Sequence, residues 1–254
     1  MRVALAFLLT DSFPFERVWL RYLEAAKRAG LTLLPIVHNK HPIKSDFVKT
    51  YETKEKAKTT WSQTVPAHRL VVGLADAMKA DFIVWVCGST WPAQRPEALF
   101  NFLASHPYSY FTHTQKLDVN WANRTFAGYP KLGNRHKAEQ WYILNRRHFP
   151  AFVDFKFASY YRSLHADNEF YPLAAIQMAG LARGVCKQDT MLTQWIGHVA
   201  HPATIVPAGF KISGGNTIDY TPELFNLAGS NGYFFMRKIH PSLGNNVCID
   251  ALGL

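Results

Sequence analysis

Three apolar runs, at residues 2–9, 31–38 and 81–87, constrain the fold of this chain more than any other feature. Each is seven or eight residues of near-continuous hydrophobicity, as expected for a strand covered on both faces, and each is too short to cross a bilayer. Between the first two, Glu16 to Ala29 places Val18, Tyr22, Ala25 and Ala29 at helical spacing, and Gly30 follows as a C-cap. Strand, helix and strand in that order predict a parallel pair joined by a right-handed crossover. A helix over 66–79, a helix from Pro96 to Ser105 and a short strand from Tyr108 to Thr112 continue the alternation. The expected fold class is therefore α/β, a mixed and mostly parallel sheet flanked by helices. Residues 39–65 are basic, polar and weakly periodic, and read as a long loop. The second half is less legible: a strand within 137–147, helices near 147–163 and 168–181, and a Gly/Pro-rich tail.

Composition limits the partners. The chain has 254 residues, 48% hydrophobic, enough for one full core. No linker, charge block or repeat forces a boundary, so residues 1–254 read as one domain. Its halves would be a part with the alternation of a nucleotide-binding sheet, 1–112, and a part, 113–254, that would hold any second substrate and the candidate catalytic acids. A formal charge of +10 points to a phosphorylated or polyanionic ligand. Nucleic acid is the obvious alternative, but the basic residues are dispersed rather than gathered in one run. Cys87, Cys186 and Cys248 form neither an even framework nor a CxxC, which argues against structural zinc and for a reducing compartment. Residues 1–10 superficially resemble a signal sequence but run into Asp11 and Pro14 without a cleavage site, so a first strand and a soluble, cytoplasmic protein are expected, peripheral to a membrane at most.

Ligands of open α/β sheets sit at the carboxyl ends of the strands. Candidates there are His38, Ser89 within Gly88-Ser-Thr90, and the turn after Asn145, although Gly and Ser are also ordinary turn formers. Two further segments stand out. Lys137-Ala-Glu-Gln-Trp-Tyr-Ile-Leu-Asn-Arg-Arg147 reads as a strand entering a basic turn, and Ala166-Asp-Asn-Glu-Phe-Tyr-Pro-Leu-Ala-Ala175 puts acids at the start of a helix. Asp167 and Glu169 can serve there as cap and dipole partners, or as a general base. As a metal pair they are too few for a coordination sphere, and His198 and His201 lack Cys or carboxylate partners, so no metal and no cofactor is expected. Arg237 and Lys238 follow the apolar run Tyr233-Phe-Phe-Met236, which delivers two cations at its end or leaves a solvated pair. Trp141, Tyr142 and Trp195 can stack on a ligand's ring face or simply fill a core.

The two central segments resemble those of the core 2/I-branching β-1,6-N-acetylglucosaminyltransferases and their plant relatives, which carry Lys-x-Ser-Gln-Trp-Phe-x-x-x-Arg followed by Asp-Glu-x-Tyr-Phe-Pro. Collinear matches extend over nearly the whole chain: residues 4–19, Trp61-Ser62 with 66–76, Trp195 with His201-Pro-Ala-Thr204, and Tyr233 to Ser242. The resemblance implies a GT-A-like (Rossmann-like) glycosyltransferase, inverting and independent of metal, that moves a sugar from a nucleotide donor, UDP-linked, to a glycan or glycoside hydroxyl. It also implies that Lys238, with Arg237, meets the donor diphosphate. Where many GT-A enzymes end the strand equivalent to 81–87 in Asp-x-Asp, this chain has Cys87-Gly-Ser-Thr-Trp-Pro92. One departure concerns the base. The family's Glu aligns with Asn168, which leaves Glu169 on a shifted helix, Asp167, or a lost base. The rival class is a non-enzymatic, basic nucleic-acid- or glycan-binding domain, supported by the charge and the 14% aromatic content. Steep salt dependence would distinguish it.

Overall fold

The computed structural model describes residues 1–60, 63–112, 138–154, 167–193, 203–212 and 216–254. All three apolar runs are strands: β1 (Arg2–Leu9), β2 (Thr32–Asn39) and β3 (Phe82–Cys87). Both β2 and β3 pair with β1 in parallel, and β1, with Val3 to Phe7 wholly inaccessible, is the centre of this part of the sheet. Helix α1 (Glu16–Arg28) turns Val18, Trp19, Tyr22, Ala25 and Ala26 inward. Its chain reverses at Gly30, whose φ of +71° suits a residue without a Cβ. Helix α3 (Val65–Ala77) connects to β3, and α4 (Pro96–Ser105) to the short strand β5 (Ser109–Phe111).

The six-stranded sheet has the order β2-β1-β3-β6-β5-β7, with β6 being Ile143–Asn145 and β7 Val185–Lys187. Strand β6 is antiparallel to both of its neighbours, and the remaining pairs are parallel. This reversal matters for the site. Val84 pairs with Ile143 and Phe82 with Asn145, so β6 begins beside the carboxyl end of β3. A second sheet of three strands has the order β4-β11-β8: Trp91–Pro92, Phe235–Arg237 and Met191–Thr193. A parallel pair, β9 (Thr204–Val206) and β10 (Thr217–Asp219), lies beyond it.

One cluster of buried apolar side chains runs from Val3 to Leu252. Phe7 is its aromatic hub, edge-on to Phe13, Trp19 and Phe47 at 5.5, 5.0 and 5.2 Å between ring centres. Such pairs add about 0.5–1.5 kcal/mol each beyond the area they bury.

One expectation needs correction. The stretch 39–65 is not all loop, because Ser45 caps a helix, α2 (Asp46–Tyr51), by accepting the Val48 N–H at 3.0 Å. Six residues are too few for periodicity to register, and what holds the turn is Phe47 packed on Phe7. Of the helix read near 147–163, the described part is a 3₁₀ turn, Arg146–His148, followed by an α-helix, Phe149–Val153; residues 155–166 lie outside the described part. The helix read over 168–181 is present as Asp167–Met178.

Candidate functional site

The end of β3 is built as a tight turn. Thr90 N–H donates to the Cys87 carbonyl at 3.1 Å, and Cys87 N–H donates to Thr90 Oγ1 at 3.2 Å. The Cys87 sulfur lies 3.3 Å from Ser89 Oγ and 3.2 Å from Thr90 Oγ1. A Cβ on Gly88 would stand 3.2 Å from the Ser12 carbonyl, so glycine lets the chain leaving β1 close over this turn. Burial pushes the Cys87 thiol up, but Arg237 and the neighbouring hydroxyls outweigh it, and the net direction is down.

Strand β11 brings the cations to this turn. Met236 pairs with Trp91 and Arg237 with Thr193. Beyond the strand, Ile239 N–H donates to the Ser89 carbonyl at 2.9 Å, and Ile205 N–H to the Lys238 carbonyl at 2.7 Å. The peptide joining Arg237 to Lys238 is cis. Backbone bonds on both sides therefore fix where the two side chains start. The Arg237 guanidinium sits 4.5 Å above the centre of the Trp141 ring. Its Nε is buried with no hydrogen-bond partner among the described residues. Burial, then repulsion from Arg237, lower the Lys238 ammonium from its ordinary value, while Cys87 opposes the shift. A half-buried pair of adjacent cations that repel each other is relieved by an anion.

Both segments singled out in the sequence meet here. Ala138 N–H donates to the Glu169 carbonyl at 2.8 Å, and Asn168 Nδ2 donates to Gln140 Oε1. Glu139 accepts from Thr193 Oγ1 at 3.4 Å. Because Thr193 is the register partner of Arg237, Glu139 adds a carboxylate to this end of the molecule. Nothing in the sequence marked it, since the resembling segment has Ser at that position.

Asp167 has a structural task. Its carboxylate is inaccessible and accepts the Thr64 N–H at 2.9 Å and the Val65 N–H at 3.4 Å. It thus caps α3 from a distant part of the chain. Burial raises its carboxyl to about 7 against the opposing pull of the backbone N–H groups. Glu169, half-buried, lies half a turn further along the same helix.

Of the remaining candidates, only Trp141 touches the cations among the described residues. Tyr142 is a core residue: only 1% exposed, its hydroxyl lies 2.7 Å from His68 Nδ1 and its ring stacks on Phe111 at 4.8 Å. No face is left for a sugar, because the strand it enters is covered on both sides. Trp141, 5% exposed, likewise spends a face on Arg237. His38 is buried at the end of β2, where Nε2 accepts the Ala57 N–H at 3.1 Å. Burial and nearby Lys56 lower its pKa, which makes it a neutral strut for the following loop. His68, stacked on Trp85 at 4.1 Å, is driven by burial to about 3. Trp195, His198, His201 and Trp61-Ser62 lie outside the described residues. Among the described residues, no three His, Cys, Asp or Glu side chains converge as a metal site, and no helix is long and apolar enough to cross a membrane.

No protein-family model and no curated protein sequence matches the chain. Similar solved structures include the apo form of mouse xyloside xylosyltransferase 1, at 12% identity and a TM-score of 0.41, covering 76% of this chain and 89% of that one. Another is the apo structure of WbbM, a bifunctional glycosyltransferase, at 9% identity and a TM-score of 0.46. That match covers 92% of this chain but only 45% of WbbM. A third is a glycosyltransferase involved in the glycosylation of the major capsid of PBCV-1, at 9% identity, a TM-score of 0.40, and coverage of 92% and 94%. The core 2/I-branching resemblance rests on the sequence motifs alone.

Proposed function

We propose that this protein is an inverting, metal-independent glycosyltransferase with a GT-A-like fold. It would transfer a sugar from a UDP-linked donor to a glycan or glycoside hydroxyl. One observation carries the reading: Arg237 and Lys238 arrive at the carboxyl end of β3, where many GT-A enzymes place a metal-binding carboxylate pair. The motif resemblance to the core 2/I-branching family supports the same chemistry.

In the proposed reaction a carboxylate takes the proton of the acceptor hydroxyl. The oxygen attacks the anomeric carbon from the face opposite the leaving group, and the bond from that carbon to the diphosphate breaks. Arg237 and Lys238 stabilise the negative charge that develops on the departing UDP. Burial makes that charge stabilisation stronger than it would be in water. Glu169 is the first candidate for the base. Asp167, with its carboxyl near 7, has suitable basicity, but both its oxygens are engaged by the α3 backbone. Glu139 joins them as a third carboxylate at this end.

Calorimetry with UDP and uridine tests the leaving-group site. Charge-assisted bonds to phosphate are worth roughly 1.5–3 kcal/mol, so Lys238→Ala should weaken UDP binding about 10–150-fold. Uridine, which lacks phosphates, should bind both proteins alike. Equal UDP affinity at matched salt would reject the assignment.

A further inference from the structure

A cleft of about 480 Å³ opens at the carboxyl end of β2, on the far side of β1 from the Arg237–Lys238 pair. Its charged lining is Lys40, Lys44, Lys49 and Lys56 against Asp46 and Glu52. Lys56 and Glu52 are already engaged: the Lys56 ammonium lies 2.9 Å from Glu52 Oε2 and also donates to Asn39 Oδ1. That leaves Lys40, Lys44 and Lys49, none of them in an ion pair among the described residues, facing the single carboxylate of Asp46. Ammonium groups gathered around a concavity reinforce one another's potential and favour a compact anion with several acceptor oxygens.

The two cationic places stand on opposite sides of β1. His38 and Cys87 are both paired to Leu8, one from each side of β1. Strands lie about 4.8 Å apart, which puts the ends of β2 and β3 about 10 Å from each other. A diphosphate held by Arg237 and Lys238 at the end of β3 leaves the cleft beside β2 free for a second anionic group. The uracil and a neutral hexose of the donor carry no charge, so the acceptor is the substrate left to supply a second anion.

We propose that the cleft at the end of β2 holds a phosphate or sulfate group on the acceptor, making the second substrate an anionic glycan. This rests on the glycosyl-transfer reading. Lys44 and Lys49 are exposed, so the double variant Lys44→Gln/Lys49→Gln removes charge without disturbing the core. The test titrates glucose 6-phosphate, and separately inorganic phosphate, into protein already saturated with UDP. The sugar phosphate should bind the UDP-loaded wild type and bind the double variant about tenfold more weakly or worse, while UDP affinity changes by less than roughly twofold.

Unchanged sugar-phosphate affinity in the double variant would overturn the site. A parallel loss of UDP affinity would assign the cleft to the donor and overturn the acceptor claim, as would binding of inorganic phosphate without binding of the sugar phosphate. Should UDP fail to bind the wild type while glucose 6-phosphate binding still depends on the two lysines, the anion site stands and the donor reading alone fails.

Discussion

Asp167 offers a test in which geometry and titration make separate demands. Its carboxylate accepts the N–H groups of Thr64 and Val65 at the start of α3, at 2.9 and 3.4 Å, and is inaccessible to water. Truncation in Asp167→Ala removes a cap, worth about 0.5–2 kcal/mol, and leaves buried N–H groups without an acceptor, each costing about 1–3 kcal/mol. These overlap, and about 2–3 kcal/mol in total is expected, or a fall in Tm of roughly 4–10 °C for a chain of this size. Asp167→Asn keeps an acceptor oxygen and should be far milder. The two proteins should also differ in their response to pH. The carboxyl is raised from 3.8 to about 7 by burial, so between those values the folded wild type binds more protons than the unfolded chain. Its stability therefore declines as pH rises across that window and levels off above it. Asn cannot titrate, so the difference between Asp167→Asn and wild type should move in favour of the variant from pH 4.5 to 8. Urea denaturation at fixed ionic strength across that range reads both effects. Parallel pH profiles, or an Asp167→Ala protein as stable as wild type, would refute the capping and burial argument.

Other expectations concern the chemistry. Glu169→Gln should lower kcat for UDP release about 10²–10⁴-fold with UDP affinity near wild type, and a silent result with Asp167→Asn inactive but folded would move the base to Asp167. Donor turnover should persist in excess EDTA, because the turn that ends β3, Cys87-Gly-Ser-Thr-Trp-Pro92, carries no carboxylate pair; loss on chelation and recovery with Mn²⁺ would contradict that. Trp141→Leu removes the ring beneath Arg237 and should weaken UDP binding about 2–30-fold, Trp141→Phe less so, with uridine unaffected. Identical UDP affinity in all three proteins would confine Trp141 to packing.

The parts of the fold that could be read directly are those in which local sequence and burial agree. Residues 2–9, 31–38 and 81–87 announce strands because both faces are covered and no polar alternation is needed. The short elements of the second half escape such reading. Three-residue strands such as β6 and β11 draw their stability from neighbours, not from a pattern of their own. The site was legible as a set of residue types: the cations 237–238, the segment 137–147 and the acids 167–169. Their partners were not. Arg237 over Trp141, Thr193 against Glu139 and Asp167 on the first turn of α3 are all long-range contacts that no local rule foresees. Tyr142 and Trp141 share a dipeptide and an aromatic character, yet one is sealed beneath Phe111 while the other supports a cation. Successive residues of an extended chain point to opposite sides, and only the completed sheet decides which side is sealed.

The three-stranded sheet β4-β11-β8 joins residues 91–92 to residues 235–237. During synthesis the strands β1, β2 and β3 can pair as soon as they emerge, since their partners are near in sequence and loop closure is inexpensive. The place where Arg237 meets Trp141 must wait for β11, which is far along the chain from that ring. A chain stalled before that point could hold much of its core and still have no cation at the end of β3. Ligand binding then becomes a property of the finished molecule, and UDP should act late in refolding, stabilising the native state without hastening the formation of its central strands.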